Sequence, residues 1–347
     1  MTDKIFLLHG MGHHPEGWQA EADAKLRELY GRYGRLSRRG FDDRFELVAI
    51  EYDDVFRRLV SDWQEDAEAL GPISDAMGAD LVSSLIGWLR NAGELEDNFI
   101  WTHAADVLLY RFFASVRHEV KTKVAARIAE EITALPATSR WSVIAHSLGC
   151  AVAHDALDML WTGKKEDGTP TGFEPRHEQA LLIAMVANVS RVLQTNPKAY
   201  DSTVKPGGAG EAGRGCLNYL TCRHVLDPFC IPKMFRPLDW PDADAEERGL
   251  YHYVEVDHIH QANIHDLPHY LEHPAVHIPL FRELTFRSAV TSDEEHDALA
   301  AFPKFGNLAQ SDAIDIKQRL EDMAPGITTA WTQYRAIWDK FSAIVGQ

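Results

Sequence analysis

The segment WSVIAHSLG, residues 141–149, runs an apolar strand straight into a helix through a serine framed by small residues, in the pattern A-x-S-x-G. A corner that tight leaves room for little but backbone, and Ala145 and Gly149 are the two residues small enough to allow it. It pushes the hydroxyl of Ser147 up and out of the sheet. The helix opening at Leu148 aims its first, intrahelically unpaired N–H groups at whatever bonds to that oxygen. Such a position suits a nucleophile whose partner develops negative charge; the plain alternative is a serine that caps a buried helix.

Length and composition narrow the setting. The chain has 347 residues, 45% of them hydrophobic, enough to bury the core of one α/β domain with insertions. Its 35 basic and 52 acidic residues give a net charge of −17, which argues against nonspecific binding to nucleic acid or to anionic membrane surfaces. No run of about 18 apolar residues appears, and the first strand begins almost at Met1, so a cytoplasmic protein without stable membrane association is expected. Cys150, Cys216, Cys222 and Cys230 contain no CxxC pair and are expected to be reduced core thiols.

Apolar runs rich in Val, Ile and Leu recur at 5–8, 45–50, 141–145, 181–187, 217–223 and 251–256. Alternating with helical patterns, they predict a doubly wound, mainly parallel six-stranded sheet covered on both faces. Helices are expected at 16–33, 102–135, 148–160 and 274–284, with a C-terminal group from 293 to about 345. The stretch 53–100 is far longer than a connection of roughly two to six residues and is read as a helical insertion, either a lid or an ordinary amphipathic helix on the core. One domain therefore spans 1–290, with a helical extension at 291–347 packed on it. Gly208, Gly210 and Gly213 formally match a dinucleotide fingerprint, but they precede a strand and open no helix, so they are read as a loop.

A serine hydroxyl needs a base within hydrogen-bond reach and an acid that orients the base. The fifth apolar run leads to Asp227, where Pro228 turns the chain away; Asp227 is the expected acid and Asp257 the reserve. The chain then becomes histidine-rich. His265, in a loop ahead of Pro268, is the favoured base, with His260 and His269 as alternatives. The order Ser147, Asp227, His265 is the order that α/β-hydrolase connectivity demands. Near the N-terminus, His9-Gly10-Met11-Gly12 lets the backbone fold over the serine, so the N–H of Met11 can join that of Leu148 in an oxyanion hole.

With LLHGMG at 7–12, AHSLG at 145–149, LDPF at 226–229 and HDLPHYL at 265–271, the chain resembles the α/β-hydrolase superfamily, in its small lipase and esterase branch. The resemblance covers about 4–284 and looks like the minimal six-stranded form; the Ala-first elbow is similar to that of some small bacterial lipases. It implies hydrolysis of a small-molecule acyl ester, or less often a thioester or amide, through an acyl-enzyme, with no cofactor and no metal.

Two other classes compete with this reading. His265, His269, His273 and His277 recur every four residues, but Pro268 and Pro274 break the register, and His13, His14, His258 and His260 join no recognisable ligand pattern, so a metal site is not expected. A catalytically inert hydrolase fold serving as an interaction module is the third possibility. Oligomeric state is not legible in the sequence.

Overall fold

A computed structural model of the chain describes residues 2–10, 14, 17–58, 110, 114–164, 168–170, 178–193, 202–227, 229–230, 235, 249–259, 263–302 and 332. Six strands form one sheet: β1 (Asp3–Leu8), β2 (Phe45–Ile50), β3 (Trp141–His146), β4 (Ala180–Val186), β5 (Cys216–His224) and β6 (Tyr251–Val256), in the order β2-β1-β3-β4-β5-β6. Every pairing is parallel. Each of the six apolar runs expected from the sequence is a strand. β4 is buried along its whole length, whereas the edge strands β2 and β6 carry exposed positions, because only inner strands are covered on both faces by helices and both edges by neighbours.

The helices are α1 (Ala20–Gly31), α2 (Ala114–Thr133), α3 (Leu148–Thr162), α4 (Ser190–Leu193), α5 (Leu267–Glu272), α6 (Pro274–Leu284) and α7 (Ser292–Ala301). The step from β1 through α1 to β2 moves one way across the sheet, and the step from β2 to β3 passes β1 to its other side. Right-handed crossovers then place α1 and α2 on opposite faces. In agreement, α2 packs on α3, while α1 packs on α5 and α6 covers β4, β5 and β6. Among the described residues no helix is long and apolar enough to cross a membrane.

Several expected boundaries shift. α2 begins at Ala114 among the described residues, and the expected start at 102 lies outside them. In the 53–100 insertion, 53–58 are helical and the remainder lies outside the described residues, as does most of the C-terminal extension beyond α7. α7 itself is held to the body by Glu294, which caps the helix with Thr291 and accepts from the N–H of Gly34. The stretch after β6, expected as loop as far as Pro274, contains α5. Pro268 and Pro274 sit in the first turns of α5 and α6, where a missing N–H costs nothing, so Pro274 opens α6 as expected and Pro268 starts the additional helix α5.

The chain reverses direction across the sheet between β1 and β3, and a crevice opens at their carboxyl ends, the general ligand position of doubly wound sheets. β3 turns into α3 through Ser147 alone, whose φ of 53° and ψ of −120° lie in a region that L-residues rarely adopt. Its N–H still extends the sheet to the carbonyl of Val186 at 2.9 Å, and its own carbonyl already accepts from the N–H of Cys150 at 3.0 Å. A side chain on Gly149 would put Cβ 2.3 Å from the carbonyl oxygen of His9 and 3.0 Å from that of Leu8. Both are backbone atoms of a buried strand end and cannot swing aside. Gly149→Ala should therefore cost about 1–3 kcal/mol of stability, measured by urea unfolding, and an unchanged midpoint would contradict this account of the corner.

Candidate active site

Three side chains converge at the carboxyl edge of the sheet. Ser147 Oγ lies 2.7 Å from His265 Nε2, and His265 Nδ1 lies 2.7 Å from Asp227 Oδ2. Ser147 stands on the β3–α3 corner, Asp227 in the turn after β5, and His265 just ahead of α5. β5 ends at His224, where its neighbour β6 ends at Val256, so Asp227 stands three residues past the strand rather than at its tip as the sequence suggested. Asp257 is not the partner of the imidazole. Of the alternative bases, His269 is directed elsewhere, its Nε2 lying 3.2 Å from the carbonyl of His258, and His260 lies outside the described residues.

Asp227 is fully buried, and its carboxylate is held by several donors. Oδ2 accepts from His265 and from the Tyr270 hydroxyl at 2.7 Å, and Oδ1 accepts from the N–H of Phe229 at 3.0 Å. Burial pushes its pKa up, but the neighbouring His265 and these hydrogen bonds outweigh that and hold it below the usual carboxylate range. An ionised Asp227 accepts from Nδ1–H and so fixes the His265 tautomer with its Nε2 lone pair toward Ser147. The Phe229 ring packs on the imidazole with centroids 4.7 Å apart. Tyr270 was not singled out from sequence; its only signal is its place in HDLPHYL, five residues after His265. Its hydroxyl also accepts from the N–H of His224, tying the Asp227 turn to α5.

Ser147 is 0% exposed, not the protruding hydroxyl that the tight corner suggested. The His265 imidazole reaches its oxygen, and Gly10 passes so close that a Cβ there would stand 3.0 Å from Ser147 Cβ. The serine instead lines a cavity of about 150 Å³, together with His9, His14, Trp18, His146 and Leu267 among others. Leu148, buried at the first position of α3, presents its N–H where no intrahelical acceptor exists. Met11, the other expected donor, lies outside the described residues.

No protein-family model matches this chain, and no curated protein does. Among solved structures, the crystal structure of Zea mays acyl-protein thioesterase 2 matches with 16% identity and a TM-score of 0.28, covering 48% of this chain and 66% of that one, just under two thirds. The fold assignment rests on the strand order and pairing described above.

Burial penalises the imidazolium form of several histidines around this edge: His146 is pushed down to about 3, His258 to about 2 and His277 to about 4. Each stays neutral in the folded protein, whereas an unfolded histidine gains a proton near its ordinary pKa of about 6.5. Below that value the unfolded state binds more protons, so stability falls as the pH is lowered from about 6.5 toward 4, by up to about 1.4 kcal/mol per pH unit per site. Depressed Asp227 acts in the same sense at lower pH, as its carboxylate protonates. Urea unfolding at pH 7.5, 6.0 and 5.0 should show a steadily falling free energy; a constant value would contradict neutral burial of these rings.

Proposed function

We propose that this chain is a serine hydrolase of the α/β-hydrolase superfamily that cleaves carboxylic esters through an acyl-enzyme on Ser147. The observation that carries the reading is the pair of 2.7 Å contacts linking Ser147 Oγ to His265 and His265 to Asp227, on a serine held in a strained conformation at the switch point of the sheet.

His265 Nε2 takes the proton of Ser147 as Oγ attacks the acyl carbonyl carbon, and Asp227 stabilises the imidazolium so formed. The oxyanion is received by the N–H of Leu148, with Met11 as the second donor in this reading. Collapse of the tetrahedral adduct expels the alkoxide, which leaves with the proton from Nε2. A water molecule then gives a proton to Nε2 and attacks the acyl carbon; the proton returns to Ser147 Oγ as the carboxylic acid departs. The same set could cleave a thioester or an amide, since it recognises the acyl carbonyl and not the leaving group. In this reading the substrate is a small-molecule acyl ester and the setting cytoplasmic, which the four buried free thiols fit.

A fluorophosphonate probe should label the protein and fail to label Ser147→Ala or His265→Ala, whereas an inert interaction module would ignore it in every form. Asp227→Asn should keep the fold and lose turnover of nitrophenyl esters on the order of 10⁴-fold. Near-normal turnover in that variant would overturn the role of Asp227.

A further inference from the structure

His9 follows β1 and Asp53 follows β2, neighbouring parallel strands whose last residues, Leu8 and Ile50, lie opposite each other. Both residues are nearly inaccessible, at 2% and 6% exposure. His9 Nδ1 lies 2.8 Å from the carbonyl oxygen of Gly10, which can only accept, so Nδ1 carries the hydrogen and the neutral ring has its lone pair on Nε2. That Nε2 stands 3.1 Å from Asp53 Oδ1. Among the described residues neither atom has a hydrogen-bond partner, and both are buried. Two acceptors facing each other away from water repel unless a positive charge lies between them. The pair is close enough for a hydrogen bond but lacks its alignment, so the in-plane direction of Nε2 points beside Oδ1.

His14 supplies a third group at the same carboxylate. Its Nδ1 lies 3.3 Å from Asp53 Oδ2, and its N–H donates to that oxygen at 2.7 Å. Metal bonds of about 2.0–2.2 Å at a tetrahedral angle separate neighbouring ligand atoms by roughly 3.3 Å. His9 Nε2 at 3.1 Å from Oδ1 and His14 Nδ1 at 3.3 Å from Oδ2 each stand at about that spacing from one oxygen of the Asp53 carboxylate, and one ligand atom from each of the three residues lies within 4.8 Å of the others. The ring planes are set by packing: His9 stacks between His14, at 4.1 Å, and Tyr52, at 4.0 Å, while Trp18 meets both imidazoles edge-on. The Nδ1–H contact to Gly10 is the outer-shell bond that orients a ligating imidazole. Two imidazoles and one carboxylate suit zinc-like ions over magnesium or calcium.

We propose that His9, His14 and Asp53 bind one divalent transition-metal ion of the zinc class. Because His9 and His14 line the cavity that also contains Ser147, the remaining coordination position faces that cavity. The ion lies outside the ester-cleavage steps derived above, and its binding is measured without reference to them.

Protein stripped with a chelator and dialysed against zinc chloride should retain one equivalent of zinc, with a raised thermal midpoint, and cobalt chloride should give a visible absorption band of tetrahedral type. His14→Ala should weaken binding at least about 10-fold, and the near-isosteric Asp53→Asn should do likewise, each confirmed as folded by circular dichroism. Ser147→Ala should bind zinc as the parent does. No retained zinc would overturn the proposal, and so would equal retention in both variants, which would assign the ion to other histidines.

Discussion

A strand and a helix that meet at a single residue impose a severe demand on everything around them. Between β3 and α3 there is no linker, only Ser147, and α3 starts so near the end of β1 that the position after Leu148 has no space for a β-carbon. The strain at Ser147, of order 1–3 kcal/mol, persists because neighbours hold both sides of it. β4 binds the serine N–H, the buried Cys150 thiol reaches the carbonyls of Ala145 and Val186, and Gly10 crosses against the serine Cβ. The first two of these contacts come from regular elements, β4 and α3. The serine hydroxyl is consequently placed by the sheet itself, and the groups that meet it must come from other parts of the carboxyl edge.

The opposite side of the site depends on α5. Asp227 would be an expensive group to bury as an anion without partners. It is stabilised by a ring nitrogen, a phenol and a backbone N–H, and two of these donors, His265 and Tyr270, flank the start of the same short helix. Docking α5 therefore neutralises the cost of Asp227 and delivers the imidazole to Ser147 in one packing event. This coupling explains why a helix of six residues is stable there: its hydrogen bonds to the turn after β5 are worth more than its own helical propensity.

How far the sequence could be read follows from which interactions are local. The six strands were legible because inner parallel strands must be apolar on both faces, leaving unbroken runs such as the one that became β4. Ser147 was legible because the corner restricts residue types within five positions, and the placement of Asp227 and His265 near it followed from the chain order. Burial of the serine was not, since Gly10 and His265 approach it from 137 positions upstream and 118 downstream. Tyr270 was missed because its role is fixed by a turn in another part of the chain. Pro274 was read correctly as the start of a helix, but Pro268 was weighed only as a break in the histidine register, although its chemistry equally marks a helix start. His14 was weighed as a metal ligand with His13 and joined no pattern in sequence, because His9, His14 and Asp53 meet only through the pairing of β1 with β2.

Both the triad geometry and that second cluster have one topological origin. In an all-parallel sheet every strand exits at the same edge, so the residues after each strand are gathered there whatever their separation in sequence: His9 after β1, Asp53 after β2, Ser147 after β3, Asp227 after β5 and His265 after β6. Partial positive charge at the start of α3 favours negative charge near Ser147, while the neutral imidazoles at this edge add no competing positive charge of their own. Burial alone would raise a carboxylate's pKa here, but the groups around Asp227 and Asp53 hold both below the usual range through specific donors. Asp227 has such donors in His265, Tyr270 and Phe229; Asp53 has the His14 N–H on one oxygen and an unprotonated ring nitrogen facing the other. That difference in what each acid faces, rather than any difference in burial, is what separates a carboxylate already satisfied by the fold from one whose environment calls for an added cation.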